Sequence, residues 1–372
     1  MSTDLEHIAT SRIGRGGALH LPHWGVIRAG GADAASFLHG QLSNDINHLG
    51  DQQARLAAFC TAQGRMLASF VVARAVADTS ASAAPATPAT ATPAPSAPGG
   101  PGAAAAALPP DTLWLACRSD VLPATLKRLS MFVLRAKARL SDAGDALAVL
   151  GLLGPSATSW LAAQGIVLGG AWQAGRCVGG RVLRLPDAPG APRWMWMGPT
   201  SAAEAVLAAL PADAGLDRDA WDALEIRAGV VPVQAATSGL FVPQMLNFEL
   251  VGGVDFKKGC YPGQEVVARS HYLGKLKRRG VLLGVAAGEP APLAGAEVWW
   301  SGDTAQPAGQ VAQAAPVGNG GAALLLAELK LAALGAAPDG GPSTLHLGSA
   351  HGPLLQRLPL PYALPQEDQA PA

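Results

Sequence analysis

The stretch Phe256-Lys257-Lys258-Gly259-Cys260-Tyr261-Pro262-Gly263-Gln264-Glu265-Val266-Val267-Ala268-Arg269 decides how the rest of the chain is read. From Lys257 to Glu265 it holds a thiol, two ammonium groups, two glycines and an adjacent amide and carboxylate. Gly259 and Gly263 allow backbone angles that a Cβ resists. Pro262 fixes φ and favours a turn. Gln264 to Arg269 carries its acid early and its base late, as a helix dipole prefers. The expected order is a strand at Val254–Phe256, a glycine turn, then a helix. That order sets Cys260 near a helix N-terminus and beside two cations, and both lower a thiol pKa toward the reactive thiolate. A cysteine in a tight turn is equally well a small buried hydrophobe. Local residues leave both readings open.

Outward from this stretch, charge is uneven. Lys257, Lys258, Arg269, Lys275, Lys277, Arg278 and Arg279 face only Asp255 and Glu265 between Val254 and Arg279, in a chain whose 27 basic and 27 acidic residues cancel. The plain interpretation is a solvated basic face. The functional one is a seat for a polyanion, such as a polyglutamate tail or RNA. A net charge of zero does not suggest a bulk nucleic-acid binder.

A chain of 372 residues, 49% hydrophobic and 15% charged, has ample material for a core and length for two or three domains. Cys60, Cys117, Cys177 and Cys260 have no C-x-x-C spacing, so no metal ligand set is expected. Met1–Leu21 has charged residues and no apolar h-region, and no apolar run is long enough to span a bilayer. A cytoplasmic protein without membrane partners is the expectation.

Residues 1–20 are polar and expected to fray, including Gly14-Arg15-Gly16-Gly17. Leu21–Ile27 is a strand candidate carrying Trp24. Asp33 or Ser36 caps a helix that lines up Phe37, Leu38 and Leu42. Leu56–Cys60 and Arg65–Ala75 form a hairpin about Thr61–Gly64. Thr79–Pro110 is Ala, Pro, Thr, Ser and Gly with one Leu, and cannot bury enough surface to offset its ordering entropy. It reads as a disordered insertion, because Thr112–Cys117 continues as a strand of the same sheet. Further strands are expected at Asp145–Leu153, Arg181–Leu185 and Arg193–Gly198, and helices at Ser156–Gln164, Ser201–Leu210 and Asp219–Ala228. Mixed elements without a βαβ rhythm indicate α+β. After a boundary near Lys275–Gly280, six short apolar runs separated by Gly, Pro and Asp indicate a small β-barrel over residues 276–362, with a loose tail at 363–372.

Two other places could carry chemistry. Gln244 and Asn247 sit in a loop fixed by Gly239 and Pro243, as candidate pocket amides or as the polar part of a capping turn. Trp24 and Trp221 are, on residue physics alone, core tryptophans. No Ser/His/Asp set and no phosphate loop is present.

The stretch FKKGCYPGQEVVAR resembles the signature of the YgfZ family, folate-binding proteins related to the T-protein of the glycine cleavage system. Similar matches run along the chain: Trp24-Gly25, Gly31-Ala32-Asp33 and Phe37-Leu38-His39-Gly40-Gln41, then Cys60-Thr61-Ala62-Gln63-Gly64-Arg65-Met66, then Ala228-Gly229, Ser238-Gly239, Phe241-Val242-Pro243-Gln244 and Asn247. The resemblance implies a T-protein-like folate-binding region in two interleaved parts, over residues 21–275, and a C-terminal barrel around a central channel. It implies tetrahydrofolate, or a one-carbon derivative, as cofactor. It assigns Trp24 and Trp221 to the folate, and Cys260 to the family's motif cysteine, flanked by Lys258, Gly259, Tyr261, Gly263, Gln264, Glu265 and Arg269. It implies support of iron–sulfur cluster assembly or repair in client enzymes, including those that thiolate tRNA, with tRNA a further partner. Two departures stand out. Ala68 and Ser69 fall where the T-protein's catalytic aspartate would be, and neither can hold a proton as a carboxylate does. Arg227 falls on a folate-contacting glutamate. Aminomethyl transfer is therefore the disfavoured alternative, and a tRNA-binding module built on the Lys257–Arg279 run is another.

Overall fold

The computed structural model describes residues 14–76, 111–272, 276–289, 292–317, 322–335 and 343–365. The expected insertion at 79–110 lies outside them, as do Lys275, the first 13 residues and most of the tail.

Where fraying is expected up to residue 20, the described residues form a strand, β1 (Gly17–His20), paired antiparallel to β7 (Leu147–Leu153). Arg15 and Gly16 donate their backbone N–H groups to the Asp213 carboxylate, which anchors the glycine run that polarity alone marks as loose. Sequence distance hides this pairing, since the partners lie more than a hundred residues away.

After Leu21–His23 the chain changes sheets. β2 (Trp24–Gly30) enters a second antiparallel sheet in which β3 (Ala54–Cys60), β4 (Met66–Arg74), β5 (Leu113–Arg118) and β6 (Arg139–Asp142) follow the order β3-β4-β5-β2-β6. The hairpin β3–β4 turns at Thr61–Gly64, and β5 continues the sheet beyond the insertion. α1 (Ala34–His39) follows β2, and α2 (Leu122–Ser130) connects β5 to β6. Asp33 stands at the α1 N-cap, but its carboxylate accepts from the Lys137 N–H instead of capping the helix.

β7 returns to the first sheet, whose order is β1-β7-β10-β9-β8, with β8 (Ala174–Cys177), β9 (Gly180–Arg184) and β10 (Arg193–Pro199). α3 (Gly154–Ala163) and α4 (Thr200–Ala209) cover its outer face, burying Ala157, Leu161 and Val206 against Leu150, Leu152 and Trp196. The inner face meets the second sheet. Leu19, Leu21, Val149, Leu153 and Met195 pack there with Val26, Val71 and Trp114.

α5 (Arg218–Arg227) runs through this junction and is buried along nearly its whole length. Asp217 caps it by accepting the Ala220 N–H at 2.9 Å. Strands β11 (Arg278–Val285), β12 (Glu297–Trp300), β13 (Gly309–Pro316), β14 (Ala323–Lys330), β15 (Leu345–Leu347) and β16 (Leu354–Leu358) close a barrel in the order β11-β14-β13-β12-β15-β16. Closure leaves no open edge on these strands. The barrel meets α5 through β13, and Ala223, Ile226, Ala312 and Leu324 share one apolar cluster. The fold is α+β with a C-terminal barrel, and the two sheets and the barrel meet around α5.

Candidate functional site

The sheet switch makes the site. Trp24 opens β2, directly opposite Arg118 on β5. His23, in the crossover, and Arg118 both face α5, where Asp222 and Glu225 lie one turn apart on one side of the helix. Arg118 Nη1 lies 3.0 Å from Asp222 Oδ1 and 3.7 Å from Glu225 Oε2. The His23 ring is 3.3 Å from Asp222, and Arg218 reaches the other Asp222 oxygen at 3.3 Å. Two buried carboxylates thus share one buried guanidinium.

The partners split the two acids. Burial opposes ionisation of Asp222, but His23 and Arg118 outweigh it and bring its pKa down to about 2. Burial, and then the negative charge of Asp222, push Glu225 up to about 7. Glu225 therefore keeps or releases a proton near neutrality. Its Oε1 accepts from Trp221 Nε1 at 2.8 Å, and its Oε2 accepts from Gln313 of the barrel at 3.1 Å. Gln313 follows a bulge in β13, where the register with β14 shifts between Val311 and Gln313, and such a bulge re-aims a side chain.

Arg193, on β10, completes the cluster. Its Nε donates to the Pro186 carbonyl at 2.8 Å, and its guanidinium lies 5.6 Å from the centre of the Trp221 ring. Full burial draws its pKa down to about 10. Its Nη1 has no hydrogen-bond partner, and neither does the buried Trp24 Nε1. Both side chains line one cavity of about 30 Å³, together with Glu225, Ser69 and Trp172. That space holds about one water. A larger cavity, of about 650 Å³, opens on the far side of Trp172 and is lined by Arg55, Phe256, Lys257, His271 and Tyr272.

The two tryptophans assigned to folate have different settings. Trp24 is a wall of the inner cavity. Trp221 is fully buried and lines neither cavity: its ring packs against Gly151, where a Cβ would collide with it, and Arg193 covers it. Trp221 reaches the cavity only through Glu225 and Arg193, which it holds in place.

The cysteine turn lies elsewhere. Val254–Phe256 is irregular rather than a strand, because Asp255 N–H bonds to the Ser43 carbonyl outside any ladder. α6 (Gln264–Tyr272) then forms as expected. Gly263 has φ +81°, and a Cβ there would strike the Thr61 carbonyl, so the loop lies flush on the β3–β4 turn. Lys258 is buried, and burial draws its pKa down to about 8. Its ammonium donates to the carbonyls of His39 and, at 2.9 Å, Leu42, and stands 4.9 Å from the centre of the Tyr261 ring. Tyr261 is buried and its hydroxyl has no partner. Gln264 Nε2 reaches the Lys258 carbonyl at 3.5 Å. Cys260, Glu265 and Arg269 are exposed, and none of the three lines either cavity. Cys260 is thus not a sealed hydrophobe and lines neither cavity; its loop neighbours Phe256 and Lys257 line the outer one.

A protein from Klebsiella pneumoniae named tRNA-modifying protein YgfZ is 30% identical over 261 residues, which cover 69% of this chain and 68% of that protein. The chain belongs to the YgfZ family. Its relative of the same name from Cronobacter sakazakii is also 30% identical, over 70% of this chain and 68% of its own length. Among solved structures, the glycine cleavage system aminomethyltransferase T from Bartonella henselae superposes with a TM-score of 0.66 at 17% identity, covering 96% of this chain and 89% of its own. That likeness concerns the fold. No family model matches the sequence.

Within this YgfZ-family chain, other expected site residues turn out to be joints. Gln244 and Asn247 are fully buried and line neither cavity. Gln244 Nε2 donates to the Val267 carbonyl at 2.6 Å, tying the loop to α6. Asn247, at φ +58°, donates to the Gly280 carbonyl at 2.9 Å, tying it to β11. Buried amides that satisfy backbone carbonyls are structural. The basic run is also dispersed. Lys258 is buried as above, Arg278 pairs with Glu328 at 2.7 Å, and Arg279 is buried against Glu249. Among the described residues of the run no continuous basic face for tRNA forms, and of these Lys257 alone lines the outer cavity.

At the former aspartate position, Ala68 is buried opposite Phe59, and the Ser69 hydroxyl accepts the Val233 N–H at 2.9 Å. The wall there carries no carboxylate. The acid of the cavity is Glu225, two residues before Arg227. Sequence reasoning fixed on Arg227 and passed over Glu225, as it passed over Arg193 and Trp172. The available signal was Asp222 and Glu225 one turn apart in a helix otherwise suited to a core. Among the described residues no group of three or more His, Cys, Asp or Glu could hold a metal ion, and no helix is long and apolar enough to cross a membrane.

Proposed function

We propose that this YgfZ-family protein binds tetrahydrofolate, or a one-carbon derivative, and supports assembly or repair of iron–sulfur clusters in client enzymes, among them enzymes that thiolate tRNA. The observation that carries the folate reading is the inner cavity: unpartnered donors on Trp24 and Arg193 beside a carboxyl that titrates near neutrality. A pterin edge mixes donors and acceptors, and this set of groups matches such an edge. Trp24 supplies an apolar face, Arg193 donates, and Glu225 either donates or accepts according to its proton. The outer cavity, with Arg55 and Lys257, suits the anionic glutamate tail. When bound, a reduced folate supplies a one-carbon carrier; the chain's part is to hold and orient it and to keep water off the ring. With no carboxylate at Ala68 or Ser69, turnover of an aminomethyl group is not expected.

Cys260 serves the cluster. Its exposure leaves the sulfur free to meet a client surface and, as thiolate, to ligate iron transiently. The test of the folate reading is a titration of reduced folate against tryptophan fluorescence. Saturable quenching is expected, weakened in Trp24→Phe and in Glu225→Ala. No saturable signal up to millimolar ligand overturns it. For the cluster reading, a Cys260→Ala strain should show reduced activity of iron–sulfur enzymes and less thiolated tRNA. Normal levels of both remove the cysteine from the mechanism.

A further inference from the structure

Trp172 stands between the two cavities and is a wall of both. It is half-buried, and it packs on the core between the sheets as well as on the one beneath the barrel. Its backbone lies at φ +66°, a region that residues with large side chains rarely occupy. The conformation is held from both directions: its N–H bonds to the Arg184 carbonyl at 2.8 Å, and its carbonyl accepts from Ala54 at 2.7 Å. Strained residues that a fold over-determines in this way cluster at ligand clamps. The indole itself is fastened by a single bond, Nε1 to the Val251 carbonyl at 2.8 Å.

The spaces on its two sides differ about twentyfold, near 30 Å³ within and near 650 Å³ without. The inner space carries the recognition groups but admits about one water. The outer space is roomy and bears flat rings, with Phe256 and His271 stacked at 3.8 Å and 12° and Tyr272 edge-on to both. It also bears cations on Arg55 and Lys257 against one carboxylate, Asp255, which accepts the Lys257 N–H at 2.8 Å. A flat ring system on an anionic tail fits the pair of spaces only if the wall between them moves. Backbone bonds hold the Trp172 main chain, so the movable part is its side chain.

We propose that Trp172 is the gate and ring partner of the ligand site: its indole leaves the Val251 carbonyl, admits a bicyclic heteroaromatic ring from the outer cavity, and stacks on that ring opposite Trp24. In this arrangement Trp172, not the buried Trp221, supplies the second indole face. The ligand's anionic tail remains outside with Arg55 and Lys257. The proposal rests on the folate reading and adds the residue that controls entry and grip.

The experiment uses the full chain and 5-formyltetrahydrofolate, with affinity measured by calorimetry and association by stopped flow. Trp172→Ala should bind about tenfold more weakly or worse, since it loses one stacking face. Trp172→Phe keeps a ring but has no N–H latch, so its association should be faster than wild type with affinity within about threefold. Wild-type affinity in Trp172→Ala, with binding lost in Trp24→Ala, overturns the gate and leaves the folate reading standing. No binding by wild type overturns both. Should Trp172→Ala fail to fold, fluorine NMR of 5-fluorotryptophan-labelled wild type decides, with the Trp172 signal assigned from Trp172→Phe. A shift of that signal on saturation is expected. An unmoved signal at saturating ligand overturns the proposal.

Discussion

The cysteine turn and the inner cavity are built by opposite rules. The turn gathers its reactive-looking residues from one continuous run, yet most of them are bonded to the fold: Lys258 to two carbonyls, Gly263 flush against the Thr61 turn, Gln264 back toward Lys258. Among its functional side chains, Lys257, Cys260, Glu265 and Arg269 are left at the surface. The cavity gathers its residues from β2, β4, β10, α5 and the segment before β8, with no motif at all, and the barrel touches the set through the Gln313 bond to Glu225. Its buried charges are imperfectly paired, and Trp24 and Arg193 keep free donors. A dense motif here marks a precise surface turn. A dispersed set of half-satisfied polar groups marks the place that can recognise something.

That contrast can be broken by substitution. Trp221→Ala should have the largest effect, about 4 kcal/mol of stability by chemical denaturation, because it empties the junction of the two sheets. A small loss would mean that Trp221 is available to a ligand rather than to the core. Lys258→Met should follow at about 3 kcal/mol, since it leaves the His39 and Leu42 carbonyls buried without a donor. If that variant is as stable as wild type, the motif lysine is functional and the turn is not structural in the way described.

Glu225 sharpens the contrast through pH. Its folded pKa, near 7, lies above its unfolded value near 4.5, so the folded state binds the proton more tightly. The stability it contributes is complete below about pH 4.5 and is lost as pH rises to about 7, roughly 3 kcal/mol. Asp222 acts in the opposite sense. Its folded pKa of about 2 lies below 3.8, so its contribution, roughly 2 kcal/mol, is present above pH 4 and lost as pH falls toward 2. Glu225→Gln should flatten the fall between pH 4.5 and 7 and remove any pH dependence of folate affinity between pH 6 and 8. A variant that keeps the wild-type slope assigns that slope to another group. Cys260→Ala should have the smallest effect on the fold, within about 0.5 kcal/mol, with folate affinity unchanged, because the side chain is exposed and lines no cavity. Weakened folate binding in that variant would join two regions that the structure keeps apart.

How far residues announced their roles followed from how local their partners are. The barrel strands were legible because each is a short apolar run with turn residues at its ends, and α6 because its charges follow its own dipole. The β3–β4 hairpin was legible from Thr61–Gly64. β1 was missed because Gly17–His20 is stabilised by Leu150–Leu153 and Asp213, far along the chain. Gln244 and Asn247 looked like pocket amides because nothing nearby shows that Val267 and Gly280 present carbonyls to them. Glu225 looked like one acid on a helix, and Trp172 like one more core indole.

The sequence alone determined the α+β class with its closing barrel, the turn that carries Cys260, and the absence of a carboxylate at Ala68 and Ser69. These depend on residue type and near neighbours, which a linear reading contains. The tertiary structure alone decided that Asp222 and Glu225 share Arg118, that Trp221 is sealed in, and that Trp172 divides an inner cavity from an outer one. Burial and long-range pairing set the proton on Glu225 and the free donors of Trp24 and Arg193, and neither exists until two sheets and a barrel close on one helix.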